Sequence, residues 1–533
     1  MMLGDISYNF YRSFISNKKY SNDLFISPIS IEVPSSVQNE ILENRIQILG
    51  DDYLSFDRDR WNICPKTAYE WSYRWHRFVN KERPKSTDIK IPWEYGRLQH
   101  LTTISLSKPC KETDVYVQRV LISFFNKNRV GFGVHWACTM DVSIRAVNLV
   151  TIYLLTKNIK TKRIIFDRII EHYWFIDKYD EWNHGVRNNH YLTNLMAKCV
   201  LSQFIYNVDK SNKYHRISVD NMKSFCTELE YQFTPKGINF EGSVNYHRLS
   251  TEIVLTVWFF ATEFGFRDYF LYPKEKIILM IEYLKNLSSK HGYVQLGDSD
   301  SGYILNYVPK YYYKNGEIKQ DFSKINHEIF NSKVLEFSSL FELFKYLGGK
   351  QPITDNYERN INLRKVEFNG QLSIPLQGEK FQIKVDDKES GVFKVDLDDG
   401  YIIIKRTGVF NTGHSHADAM MVQLYINGVY YSLFRGTDSY SKSLKQRTYD
   451  RVGFYSRETN AKVEHFGNLP RHLMPSCETF IENNSILFKS RDGKTLSIFV
   501  DNYNLIIEAN YNPLLYPEHY FCSYNSKVNI KLI

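Results

Sequence analysis

Nowhere does the sequence run to about eighteen consecutive apolar residues, so no segment reads as a membrane-spanning helix. A secretory start is missing too. Met1-Met2-Leu3-Gly4-Asp5-Ile6-Ser7 has neither a basic leader nor an apolar core. Cysteine is sparse and scattered: Cys64, Cys110, Cys138, Cys199, Cys226, Cys477 and Cys522 are odd in number, and no two stand at CxxC spacing. That pattern indicates neither a zinc knuckle nor a disulfide framework, and a reducing, cytoplasmic setting is the simplest expectation. No helix-turn-helix, zinc-finger or RNP-type signature supports nucleic acid as a partner. Charge of one sign is not in great excess either. The 68 Lys+Arg against 59 Asp+Glu leave a formal +9, which suits an acidic polymer but is also met by solubility alone.

What the chain has in quantity is aromatic surface. Tyr 39, Phe 35 and Trp 8 make up 15% of it, and flat rings with polar edges suit carbohydrate, although any single ring belongs more often to a core. A chain of 533 residues exceeds one core, so two or three domains are expected. Helical periodicity dominates the first two thirds, with Val142, Ile144, Val147, Val150, Ile152 and Leu155 following Asp141. Further helices are expected over 163–174, 191–204, 244–264 and 274–284, a run of helical hairpins of the kind that builds a toroid or solenoid. Beyond about residue 355 the period becomes two. Val366-Glu367-Phe368, Phe381 to Val385, Val392 to Val395, Tyr401 to Lys405 and Met421 to Ile426 read as strands, as do Ser497 to Val500 and Asn504 to Ile507. Asp398-Asp399-Gly400 and Asn427-Gly428 read as hairpin turns. Helices first and antiparallel strands afterwards predict two segregated domains, 1–350 and 351–533, joined near Gly348-Gly349-Lys350-Gln351-Pro352.

Four clusters could carry chemistry. Between two of the strands lies Asn411-Thr412-Gly413-His414-Ser415-His416-Ala417-Asp418, where an extended backbone would place His414, His416 and Asp418 on one face. Arg187-Asn188-Asn189-His190-Tyr191 enters a helix; its amides and imidazole can grip a carboxylate, or simply cap the helix. Phe240-Glu241-Gly242-Ser243-Val244-Asn245-Tyr246-His247-Arg248 offers Ser243 as N-cap and so puts Tyr246 in the first helical turn. There the helix dipole, with His247 and Arg248 adding positive potential, favours the phenolate. Last, Gln295-Leu296-Gly297-Asp298-Ser299-Asp300-Ser301-Gly302 carries two carboxylates but lacks the closing Glu of an EF-hand, and a polar turn explains it as well.

Taken in order, these segments resemble the heparinase II/III-like polysaccharide lyase family. The resemblance also takes in Asp88 to His100 and Trp136 to Arg145, and it runs over roughly residues 45 to 470. It implies an N-terminal incomplete (α/α) toroid, a C-terminal antiparallel β-sandwich, and β-elimination on a uronate-containing polysaccharide in the cleft between them. By resemblance, Asn189 and His190 neutralise the substrate carboxylate, Tyr246 serves as base, acid or both, and His414 is the partner base. Glu241, Arg248 and Asp298 are the expected substrate contacts. His416 matches a position that binds structural zinc in some relatives.

The other zinc ligands are missing. Phe434-Arg435-Gly436-Thr437 stands where relatives carry Asp-Pro-Gly-Thr, and Ser456 to Val463 offers no His where they carry His-Asn-Thr-Val. Asp438 and His465 lie nearby, but nothing in the spacing requires them as substitutes. One imidazole does not hold zinc, so neither zinc nor any other cofactor is expected. The expected partner is an acidic polysaccharide or oligosaccharide, with no nucleic acid and no membrane span. The missing signal peptide points to a cytoplasmic role in surface polysaccharide assembly. The rival from another class is a non-catalytic glycan-binding or assembly protein. Glycoside hydrolysis through Asp298 and Asp300 ranks last, because carboxylates two residues apart in one turn rarely flank a bond from opposite sides.

Overall fold

The computed structural model describes residues 35–304 with short breaks and a few positions between there and 347. It then describes 361–406, 414, 420–434 and 477–532, again with short breaks. The expected domain junction at 348–352 lies outside the described residues, as do His416, Asp418, Asp300, Asp438 and His465. Among the described residues, no helix is long and apolar enough to cross a membrane.

The helical part is organised around Thr139–Leu155, in which every residue from Thr139 to Leu154 is buried. A helix buried on all sides must sit centrally, and its neighbours Ile159–Lys178 and Asn189–Asp209 pack directly on it. Helix starts follow local chemistry. Asn158 accepts from the backbone N–H groups of Lys160 and Thr161, and Asn188 from those of His190 and Tyr191. Ser211 accepts from Tyr214 N–H, and Ser243 from Tyr246 N–H. The helices expected over 163–174, 191–204, 244–264 and 274–284 form as Ile159–Lys178, Asn189–Asp209, Val244–Glu263 and Lys274–Asn286. Lys111–Lys127 and Asn212–Gln232 were not expected, because their many charged and polar residues dilute the apolar stripe.

Two of the resembling segments turn out to be scaffold. Arg97 Nε reaches Asp141 Oδ1 at 2.6 Å and thereby ties Lys90–Gly96 to the central helix. Arg145 is fully buried between Trp136 and Phe124, with its guanidinium carbon 4.9 and 5.1 Å from the ring centroids. It donates to Gly96 O, His135 O and His172 Nε2. Burial lowers its pKa to about 9.

The C-terminal part contains a seven-stranded and a five-stranded sheet. The larger runs Ile530–Leu532, Ile361–Leu363, Val429–Ser432, Val422–Ile426, Gly400–Lys405, Val392–Asp396, Gln382–Asp386. The smaller runs Cys477–Glu482, Ser485–Ser490, Thr495–Asp501, Asn504–Ala509, Gln371–Pro375. Pairing is antiparallel apart from Ile361–Leu363, which runs parallel to both its neighbours. Alternation explains the layering. Phe393, Val395, Ile402, Ile404, Val422 and Leu424 share a core with Ile486, Phe488, Ile498 and Leu505 of the smaller sheet. The intervening Val392, Tyr401, Ile403, Met421 and Tyr425 join the helical core instead. The central strands of the large sheet, Val392–Asp396, Gly400–Lys405 and Val422–Ile426, are therefore buried on both faces, while the small sheet is half exposed.

Asp398-Asp399-Gly400 and Asn427-Gly428 do connect hairpins, and Asn427 and Gly428 both take positive φ, as a tight two-residue turn requires. Two expectations fail. Val366-Glu367-Phe368 is not a strand; the strand lies earlier, at Ile361–Leu363, and Val366 and Phe368 pack on the smaller core. His414 sits in a turn rather than in extended backbone, so period-two facing does not govern it.

Candidate active site

Three chain segments converge through hydrogen bonds that local sequence explains. Ser243, as N-cap, accepts from Tyr246 N–H at 3.3 Å, and its own hydroxyl donates to Asp298 O at 2.6 Å. Asp298 N–H in turn donates to His414 O at 2.7 Å. Gly297 permits this approach. Its φ is +73°, and a Cβ there would lie 2.6 Å from His414 O and 2.8 Å from Gly242 O. The helix start, the Gly-Asp turn and the His414 turn are thus stitched together by backbone.

On this frame the rings of Tyr246 and His414 stack, with centroids 3.7 Å apart and planes at 18°. His414 Nδ1 lies 3.1 Å from Asp298 Oδ2, and its Nε2 is 3.6 Å from Glu241 Oε2. Asp298, a hydrogen-bond acceptor, orients the ring and favours the tautomer with the proton on Nδ1. Both carboxylates are fully buried, whereas the His414 side chain stays 22% exposed, which makes the imidazole the group open to a ligand.

Asn189 stands behind Glu241. Its backbone N–H donates to Glu241 Oε1 at 2.6 Å, and its amide nitrogen donates to both carboxylate oxygens at 3.1 and 2.9 Å. A further layer holds Glu241, whose N–H donates to Asn239 Oδ1. Asn239 N–H donates to His247 Nδ1, and His247 Nε2–H donates to Met280 O. Burial lowers the His247 pKa to about 4, so at neutral pH it is uncharged. The positive potential expected from His247 is therefore absent.

The remaining expected residues are placed differently. Arg248 is buried, pairs with Glu252 at 2.9 Å and lies over the Tyr303 ring. Glu241, Arg248 and Asp298 are all buried, and Glu241 and Asp298 stand at the two ring nitrogens of His414. His190 turns to Glu181, 3.1 Å from Nδ1 to Oε1. Burial opposes its charge, but the carboxylates of Glu181, Asp141 and Glu241 together outweigh burial and raise the His190 pKa. Cys138 and Glu181 beside His190 carried no spacing signal, since tertiary packing alone brings them to it.

No protein-family model and no curated protein matches the chain. Solved structures do. A crystal structure of heparinase III aligns over 92% of this chain and 72% of its own, with TM-score 0.52 and 13% identity. Heparan sulfate lyase HepC from Pedobacter heparinus aligns over 93% and 72%, with TM-score 0.47 and 16% identity. In its fold, a helical N-terminal part followed by a β region of several sheets, this chain is similar to heparinase III.

Proposed function

We propose that this protein is a polysaccharide lyase cleaving a uronate-containing acidic polysaccharide by β-elimination. The observation that carries the reading is the stack of Tyr246 on His414, with His414 Nδ1 held by the buried Asp298. The architecture proposed with it is an incomplete (α/α) toroid over residues 1–350 and a β-sandwich over 351–533. Similarity to heparinase III supports that arrangement at the level of fold.

Elimination needs a base for the barely acidic C5 proton, an acid for the leaving glycosidic oxygen, and neutralisation of the carboxylate on C5. His414 Nε2 takes the proton, and the imidazolium so formed has a carboxylate at each nitrogen. The C5 electron pair forms the C4–C5 double bond as the C4–O bond breaks, and the Tyr246 phenol protonates the departing oxygen. Tyr246 lies in the first turn of its helix, where the dipole stabilises the phenolate left behind. Neutralisation of the carboxylate is assigned to Asn189 and His190, adjacent at one helix start. Asn189 already donates to Glu241, so a substrate carboxylate shares or displaces that contact.

The test is a panel of uronate polymers followed by the ultraviolet absorbance of an unsaturated product. Tyr246→Phe and His414→Ala should each lower turnover by roughly 10²- to 10⁴-fold, with circular dichroism showing that each variant keeps its fold. Saccharide binding with no absorbance from any polymer would establish the glycan-binding alternative. Reducing sugar without an unsaturated product would indicate hydrolysis, a reading opposed by the burial of Asp298 against His414.

A further inference from the structure

Beside Asn189, three groups of the kinds that ligate transition metals converge from separate elements. Cys138 is the N-cap residue of the central helix Thr139–Leu155, Glu181 follows the Ile159–Lys178 helix, and His190 is in the first turn of Asn189–Asp209. Their ligand atoms lie within 4.8 Å of one another. Cys138 Sγ is 3.9 Å from His190 Nδ1 and 3.8 Å from Glu181 Oε1, and that Oε1 is 3.1 Å from Nδ1.

We infer that Cys138, Glu181 and His190 form a binding site for a zinc-class divalent cation. A tetrahedral zinc with ordinary bond lengths sets sulfur–nitrogen and sulfur–oxygen separations of about 3.5 Å and nitrogen–oxygen of about 3.3 Å. The three observed separations fall within a few tenths of an ångström of those values, so small side-chain movements admit the ion. The surroundings orient the ligands as a metal site requires. Met140 N–H donates to Glu181 Oε2 at 2.6 Å, which leaves Oε1 turned to Cys138 and His190. The Asp141 carboxylate, within hydrogen-bond reach of the thiol, is itself engaged by Arg97.

Access differs among the three. The Cys138 residue is buried, whereas the side chains of His190 and Glu181 are 37% and 27% exposed, so an ion enters from the rim and binds the thiolate at the floor. A sulfur, a nitrogen and a carboxylate oxygen favour zinc over magnesium or calcium, and three protein ligands leave the fourth position to water or to a ligand. The ordinary alternative is a His190–Glu181 ion pair next to an inert thiol. The site uses no residue of the segment 413–418, and although it shares His190 with the lyase reading it does not depend on that reading.

The experiment is a metal titration of the full chain after chelator treatment, with no polysaccharide present. Zinc is measured by mass spectrometry, and cobalt(II) by its thiolate-to-metal absorption in the near ultraviolet. One equivalent of each should bind. Cys138→Ser should abolish the cobalt–thiolate absorption, and Glu181→Gln or His190→Ala should weaken zinc at least about tenfold. His416→Ala should change nothing. If Cys138→Ser does not fold, by circular dichroism, the two rim variants decide the matter through the same titration. The inference is overturned by an absent thiolate absorption, by zinc affinity unchanged in the rim variants, or by zinc lost only with His416→Ala.

Discussion

At the scale of single residues, the environment of one imidazole carries the chemistry. His414 touches a phenol ring on its face, Asp298 at Nδ1 and Glu241 near Nε2. Asp298→Asn replaces an obligate acceptor with an amide that can also donate, so the ring loses its fixed tautomer and orientation. The expected outcome is a fall in kcat of roughly 10²-fold or more with KM little changed, read from initial rates on the polymer that gives the unsaturated product. An unchanged kcat would remove Asp298 from the machinery. Local sequence disclosed Asn189, His190, Tyr246 and His414 as chemically capable groups. It did not disclose that Glu241 would occupy the Asn189 amide, because those residues are brought together by helix packing and not by spacing.

At the scale of elements, the site depends on the meeting of a helix start with two turns. Ser243 was legible as an N-cap because its hydroxyl sits three residues before the N–H that it accepts, a purely local relation. The consequence of Gly297 was not legible, since the atoms a Cβ would meet belong to Gly242, Ser243 and His414. Gly297→Ala should cost at least about 1 kcal/mol from its left-handed backbone alone, with the clash against His414 O added. Thermal melting should show the loss of stability, and turnover should fall further than that loss explains, because His414 is displaced from Tyr246. A variant with wild-type melting and wild-type turnover would show that the close approach is dispensable.

For the molecule as a whole, two properties follow from burial. His100, His135 and His247 are held uncharged, with burial lowering their pKa values to about 3, 3 and 4. The unfolded chain takes up protons on these groups below about pH 6.5 and the folded chain does not, so stability falls as pH falls, down to the folded values. Each such group contributes up to about 1.4 kcal/mol per pH unit. Melting temperature should decline steadily from pH 7 to 5, and His247→Gln should flatten that decline; a flat wild-type profile would contradict it. Second, the large sheet turns Tyr401, Ile403, Met421 and Tyr425 to the helical core. Residues 361–533 expressed alone should therefore expose an apolar face and associate, as size-exclusion chromatography would show; a monodisperse monomer would establish an independent domain.

The sequence by itself determined the order of helices before strands, the helix starts at Asn188 and Ser243, and the hairpin turn at Asn427-Gly428. Each rests on contacts within a few residues, where side-chain type and period dictate backbone geometry. Only the tertiary structure decided that the central strands of the larger sheet are buried on both faces, that Arg97 and Arg145 brace the scaffold, and that Tyr246 lies against His414. Those outcomes depend on which apolar faces meet and which buried polar groups find partners. Such choices are made between positions far apart in the chain, 44 residues for Arg97 and Asp141 and 116 for Asp298 and His414, where the hydrophobic effect drives association but no local pattern names the partner.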